Sequence, residues 1–197
     1  MRAPRGALRR PRGGAGAGQA VHARRALLAG VVAAAMLLPG SAEGADPLGL
    51  ASLRNAEYAS AWTVSRRVRL RDGQYRQPAA PGSATELRVS LLDRRTAWTW
   101  GGRRYAAVIL VTDPGGSGTF YDLALVEDRR GRPVEVASAP LGDRVRVESL
   151  TVARRDGQTE LHVGLVAHGP GDPLCCPTHR TVRAFVWNGR ALTPRTD

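Results

Sequence analysis

Ala106-Ala107-Val108-Ile109-Leu110-Val111, the turn Asp113-Pro114-Gly115-Gly116-Ser117-Gly118 and the run from Thr119 to Glu127 decide the fold of this chain. Six consecutive apolar residues leave no polar face, so the first run belongs in the middle of a sheet covered on both sides. Proline and three glycines then supply turn chemistry, which makes Thr119 to Glu127 the antiparallel partner of that central strand.

The flanking sequence follows the same grammar of short alternating runs and turns. Before the central strand, Arg67-Val68-Arg69-Leu70-Arg71 alternates with Val68 and Leu70 inward. Asp72-Gly73 reads there as a hairpin signal joining that run to Gln74-Tyr75. Gln77 to Ser83 is a loop, and Glu86 to Asp93 places Leu87, Val89 and Leu91 on one face. After the central pair, Arg129-Arg130-Gly131-Arg132 is a turn and Pro133 to Ala137 a short strand. From Val145 to Val152 the apolar phase slips at Glu148-Ser149, which predicts a β-bulge or a bend there. Gln158 to Val166 aligns Leu161, Val163 and Leu165, while Thr181 to Trp187 is expected to turn Val182, Ala184 and Val186 inward. Only Leu48 to Tyr58 has the makings of a helix. Roughly eight to ten short strands at even spacing, with no alternating βα units, predict an all-β, mainly antiparallel β-sandwich or partly open barrel.

The first 44 residues differ in kind. Seven arginines and one acid surround an uninterrupted small or apolar run from Ala26 to Leu38, followed by Pro39-Gly40-Ser41-Ala42-Glu43-Gly44-Ala45. This reads as a basic leader plus signal peptide with cleavage near residues 42–45, because the run fits a signal core of about 7 to 15 residues and falls short of a membrane span. Arg24-Arg25-Ala26-Leu27-Leu28 also fits a twin-arginine signal, which leaves the export route open between the two. Residues 45–197 are then one exported β-rich domain, periplasmic or extracellular, with no stable membrane span after cleavage.

The net charge of +12 divides evenly, since the leader carries half of it. All 29 basic residues are arginine and none is lysine, beside abundant Ala, Gly and Pro, as expected of a GC-rich genome. Arginines clustered on one face with aromatics between them would mark nucleic-acid binding, and that pattern is missing.

The only two cysteines, Cys175 and Cys176, are adjacent within Gly169-Pro170-Gly171-Asp172-Pro173-Leu174-Cys175-Cys176-Pro177-Thr178-His179. In an exported chain the default is a vicinal disulfide that staples a turn, with intermolecular pairing, redox use and metal binding as the alternatives. Its two-residue loop constrains the unfolded chain very little. A metal site would recruit His168 and His179 beside the two thiolates, to suit zinc or Cu(I), although structural zinc sites prefer two to four residues between sulfur ligands. His162 lies six strand residues, about 20 Å, from His168 and is set aside. Ser117 sits in Gly-Gly-Ser-Gly-Thr, but a nucleophile elbow needs glycine at Thr119 and a helix after it. Trp98-Thr99-Trp100 puts two indoles on one face: exposed, Trp98 and Trp100 form a ligand platform; buried, they fill core. No cofactor is expected.

The order of motifs resembles an uncharacterised family of exported bacterial proteins. The matching residues are Asn55-Ala56-Glu57-Tyr58, Leu70 to Tyr75, Ala106-Ala107-Val108, Pro114 to Tyr121, Leu141-Gly142-Asp143-Arg144-Val145 and Asp172 to Thr178. Relatives in that family often carry a calcium-type acidic loop before the central strand. Here the same place reads Thr99 to Tyr105 with no carboxylate, so calcium does not carry over. The resemblance implies an envelope protein and supplies no catalytic residue. Together these readings predict a non-catalytic binding or structural module with an envelope ligand or protein as partner, and a thiol-redox or soft-metal protein as the alternative.

Overall fold

A computed structural model describes residues 45–155 and 157–195. The leader and its cleavage region before Ala45 lie outside the described residues. One helical turn, α1 (Leu50–Leu53), precedes eleven strands: β1 (Glu57–Ala59), β2 (Arg67–Arg69), β3 (Gln74–Pro78), β4 (Glu86–Trp100), β5 (Arg103–Asp113), β6 (Phe120–Asp128), β7 (Pro133–Asp143), β8 (Arg146–Arg155), β9 (Gln158–Ala167), β10 (His179–Trp187) and β11 (Leu192–Pro194). They form three antiparallel sheets, ordered β1-β2, β3-β4-β5-β6-β7 and β11-β10-β9-β8. Every neighbour in a sheet is also its neighbour in sequence, so each sheet is a meander. None closes on itself, and the four- and five-stranded sheets share one core, as in a sandwich.

The central strand β5 carries the architecture. Its odd residues Tyr105, Ala107 and Ile109 join Leu123 and Leu125 of β6 against Leu161, Val163, Leu165, Phe185 and Trp187 of the four-stranded sheet. Its even residues Ala106, Val108 and Leu110 face the opposite way, with Ala124 and Val126, toward Leu48, Leu53, Tyr58, Val68 and Leu70. The strand is therefore covered on both sides, as its unbroken apolar run predicts. One cover is a regular sheet. The other is the segment from Leu48 to Leu70, a cap made of α1, β1, β2 and their connections.

The phase slip in β8 is a bulge, with the register stepping from Val147 to Ser149 against consecutive partners Leu165 and Gly164. Gly164 belongs there because a Cβ would stand 2.3 Å from Ser149 Oγ. Three sequence expectations need correction. The Asp72-Gly73 turn forms, with both residues at positive φ and an Arg71–Gln74 bridge, yet its arms diverge: β2 pairs with β1 and β3 with β4. Leu70 N–H goes to Ala56 O, so the cap captures the first arm. The strands begun at Glu86 and Pro133 run on to Trp100 and Asp143, with register shifts between Leu92 and Arg95 in the first and at Val136 and Leu141 in the second. In β10 the inward residues are Phe185 and Trp187, both buried, while Val182 is 64% exposed. Two large rings bury more apolar surface than the valine and alanine phase offers, so they set the strand's orientation.

Candidate functional site

The cap leaves a cleft where its Ser60–Arg66 turn meets the central sheet. Between β1 and β2 the chain turns on itself, with Ser60 N–H donating to Arg66 O at 2.9 Å and Arg66 N–H to Thr63 O at 3.0 Å. Thr63 is buried, and its hydroxyl donates to Arg67 O at 3.1 Å. This anchored turn presents Trp62, whose ring lies 4.8 Å from that of Phe120 at the start of β6. Beneath the pair is a cavity of about 410 Å³ lined by Ser60, Trp62, Arg66, Thr112, Asp122 and Glu135 among others.

Asp122 and Glu135 set its chemistry. Asp122 takes the same face of β6 as Ala124 and Val126, toward the cap. Glu135 reaches that face through a bulge, because the register steps from Leu125–Ala137 to Val126–Glu135 and leaves Val136 extra. Unbroken alternation from Ala137 would have turned Glu135 toward the other core. Its Oε2 accepts from Ala59 N–H, which ties β7 to the cap, while its Oε1 is buried with no hydrogen-bond partner. Asp122 has neither a hydrogen bond nor an ion pair among the described residues. Burial raises the pKa of both carboxyls, and for Glu135 the charge of Asp122 adds to burial while Ala59 N–H and Arg67 oppose it. Tyr58, against Leu53 O at 2.9 Å, is pushed above its ordinary range by burial and by Glu135.

No family model, curated protein or solved structure matches the chain. The cleft must therefore be read from its own chemistry.

The cysteine loop is a different kind of site. Cys175 and Cys176 stand at disulfide-bonding distance, exposed on the connection between β9 and β10. The loop is organised by Asp172, whose carboxylate accepts from Gly169 N–H, Thr178 N–H and the Thr178 hydroxyl, each at 2.8 Å. These donors hold its pKa below the usual carboxylate range, the Gly169 and Thr178 backbone first. The four-ligand soft-metal arrangement of Cys175, Cys176, His168 and His179 is not assembled: among the described residues no three His, Cys, Asp or Glu side chains are gathered to hold an ion. The sulfurs face each other, and the His168 ring nitrogen Nε2 is buried without a partner. Ser117 lies in the connection between β5 and β6, where its carbonyl accepts from the Arg144 guanidinium.

Trp98 and Trp100 are half-buried and packed against the core between the two large sheets. Their rings lie 5.8 and 6.4 Å from that of Tyr105, and Trp100 covers Gly189, where a Cβ would come within 2.8 Å of the indole. They fill the sandwich interior in place of an exposed platform. The aromatic residue that does stand half-open over a cavity is Trp62, 42% exposed. No sequence signal ranked it above the other tryptophans. An acid inside the apolar run Phe120 to Val126 was the one legible hint of the cleft.

Proposed function

We propose that the chain is an exported, non-catalytic binding module of the cell envelope, whose ligand sits in the cleft between the Ser60–Arg66 turn and the central sheet. The observation that carries this reading is the cavity itself: about 410 Å³, with an aromatic pair on one side and two poorly compensated carboxylates on the other. That volume suits a small organic ligand, and a few placed polar groups among apolar walls are what such sites use for orientation. Among the described residues no helix is long and apolar enough to cross a membrane. Export rests on the leader's charge and apolar run.

A mixed-charge fragment collection screened by ligand-observed NMR tests the cleft. Fragments that bind the full chain and are lost on Trp62→Ala support it; hits indifferent to Trp62, or no hits at all, reject it. N-terminal sequencing of protein recovered from the envelope fraction tests export, with a first residue between 43 and 46 expected.

A second reading, thiol-redox chemistry at Cys175 and Cys176, is favoured by the exposure of both residues on their loop. Rapid reduction by a mild dithiol, with two thiols then titrating, supports it; resistance to such reductants rejects it.

A further inference from the structure

Two carboxyls line the cleft, and neither has its full complement of partners among the described residues. Carboxylates withdrawn even partly from water are ordinarily paired with cations or supplied with several donors, and Asp122 and Glu135 are both half-buried. Asp172 shows how the same chain satisfies a carboxylate when the role is structural, with three donors at 2.8 Å. Glu57 is likewise paired, with Arg67 and Arg69, and Glu160 with Arg195 and His162. Asp122 is left with none of this while lining the cavity, and Glu135, lining the same cavity, has one oxygen on Ala59 N–H and the other without a donor.

We infer that the cleft binds a small organic cation, its ammonium or guanidinium group on Asp122 and its apolar body against Trp62 and Phe120. This rests on the binding reading above and names the ligand class. A cation supplies both missing terms: donors and countercharge for Asp122, and a positive edge for an indole face to attract. Glu135 contributes the second negative charge to the field. An anion would meet two carboxylates, and a neutral ligand would leave the charge of Asp122 unanswered. A divalent metal ion fits less well, because hard cations ask for six or more oxygen ligands and the described residues gather no third acid here. The Arg66 guanidinium, exposed at the rim, stands where an anionic or polar tail on the ligand would leave the cleft.

Benzylammonium, benzyl alcohol and benzoate share one ring and differ only in head group, which makes them suitable probes for calorimetric titration into the full chain. Benzylammonium is expected to bind, with benzyl alcohol weaker by about tenfold or more, as befits a charge-assisted contact. Asp122→Asn should abolish that discrimination, and it should keep the fold, since it removes an uncompensated charge. Glu135→Gln should weaken benzylammonium without removing its preference, and Trp62→Ala should cost about two- to fivefold. Equal or tighter binding of benzyl alcohol or benzoate, no binding of benzylammonium, or a full-strength Asp122→Asn variant would each overturn the cation assignment. Where benzyl alcohol or benzoate binds in a Trp62-dependent way, only the ligand class fails and the cleft stands as a binding site. Loss of Trp62-dependent hits of every charge in the fragment screen is what removes the site.

Discussion

The two faces of the five-stranded sheet are covered in opposite ways. Toward β8–β11 the contact is sheet on sheet, with Leu125, Leu161, Leu165, Phe185 and Trp187 in a continuous apolar layer. Toward the N-terminus the cover is a single turn of helix, two three-residue strands and connecting turns, which bury Leu48, Leu53, Tyr58, Val68 and Leu70 yet leave a cleft over Asp122, Glu135 and Ser138. A sheet matches a sheet over its whole area, because both surfaces are pleated with the same period. An irregular segment cannot, and the cavity with its two acids lies where the match fails. The proposed binding site therefore lies under the less regular cover, and the regular sheet-on-sheet contact on the opposite face.

The largest expected effect tests the sheet-on-sheet face. Leu125→Ala, at a fully buried position, should cost about 2–5 kcal/mol in denaturant unfolding, from lost transfer energy plus the cavity left behind. It should leave the titration of Asp122 unchanged; a shift there would mean that the two faces are not separate. Tyr58→Phe probes the cap. Losing the hydroxyl that donates to Leu53 O should cost about 1 kcal/mol and should increase hydrogen exchange in the cap before it affects β5 or β9. Exchange that rises equally in cap and sandwich would show one cooperative unit.

Asp122→Asn should act with the opposite sign. Because burial raises the folded-state pKa of Asp122 and Glu135, the folded chain holds more protons than the unfolded one in the range between the two states' pKa values. These groups therefore favour the fold at acidic pH and lose that contribution as pH rises through the raised values. Tyr58, Arg66 and Arg67 of the cap are the other charged or titratable groups nearby. The variant should melt higher than the wild type at pH 8, and the gain should vanish by about pH 3, where both states are protonated. A variant less stable at pH 8 would show that Asp122 has a partner. Asp172, with its depressed pKa, runs the other way: its contribution is present above the unfolded value and is lost as pH falls through the folded one. The smallest effect lies outside both faces. Replacing Cys175 and Cys176 together by serine should cost about 1 kcal/mol, the loop-entropy value for so short a closure. A loss comparable to that of Leu125→Ala would show that the disulfide holds more than its own loop.

Much of the scaffold was legible from pattern. The run Ala106 to Val111 read as a strand covered twice, and of the bulge or bend expected at Glu148-Ser149 the structure has the bulge. Two local readings failed for physical reasons that alternation does not encode. At Thr181 to Trp187 the β-branched phase competed with an aromatic phase, and ring area prevailed. At Asp72-Gly73 the turn was right but its arms had stronger partners elsewhere, in β1 and β4.

The candidate site was harder to see. Asp122 breaks an apolar run, and that alone does not separate a solvated acid from one held in a cavity. Glu135 faces the cleft only because a bulge at Val136 reverses its phase, and nothing in Pro133-Val134-Glu135-Val136-Ala137 announces that bulge.

What the sequence by itself determined is the mainly antiparallel, all-β character and the doubly covered central strand, because these follow from period and turn chemistry. What only the tertiary structure decided is where the two covers end. The cleft is made of residues from 59 to 142 brought together by packing, and a void is a property of surfaces that fail to meet, which no local pattern records.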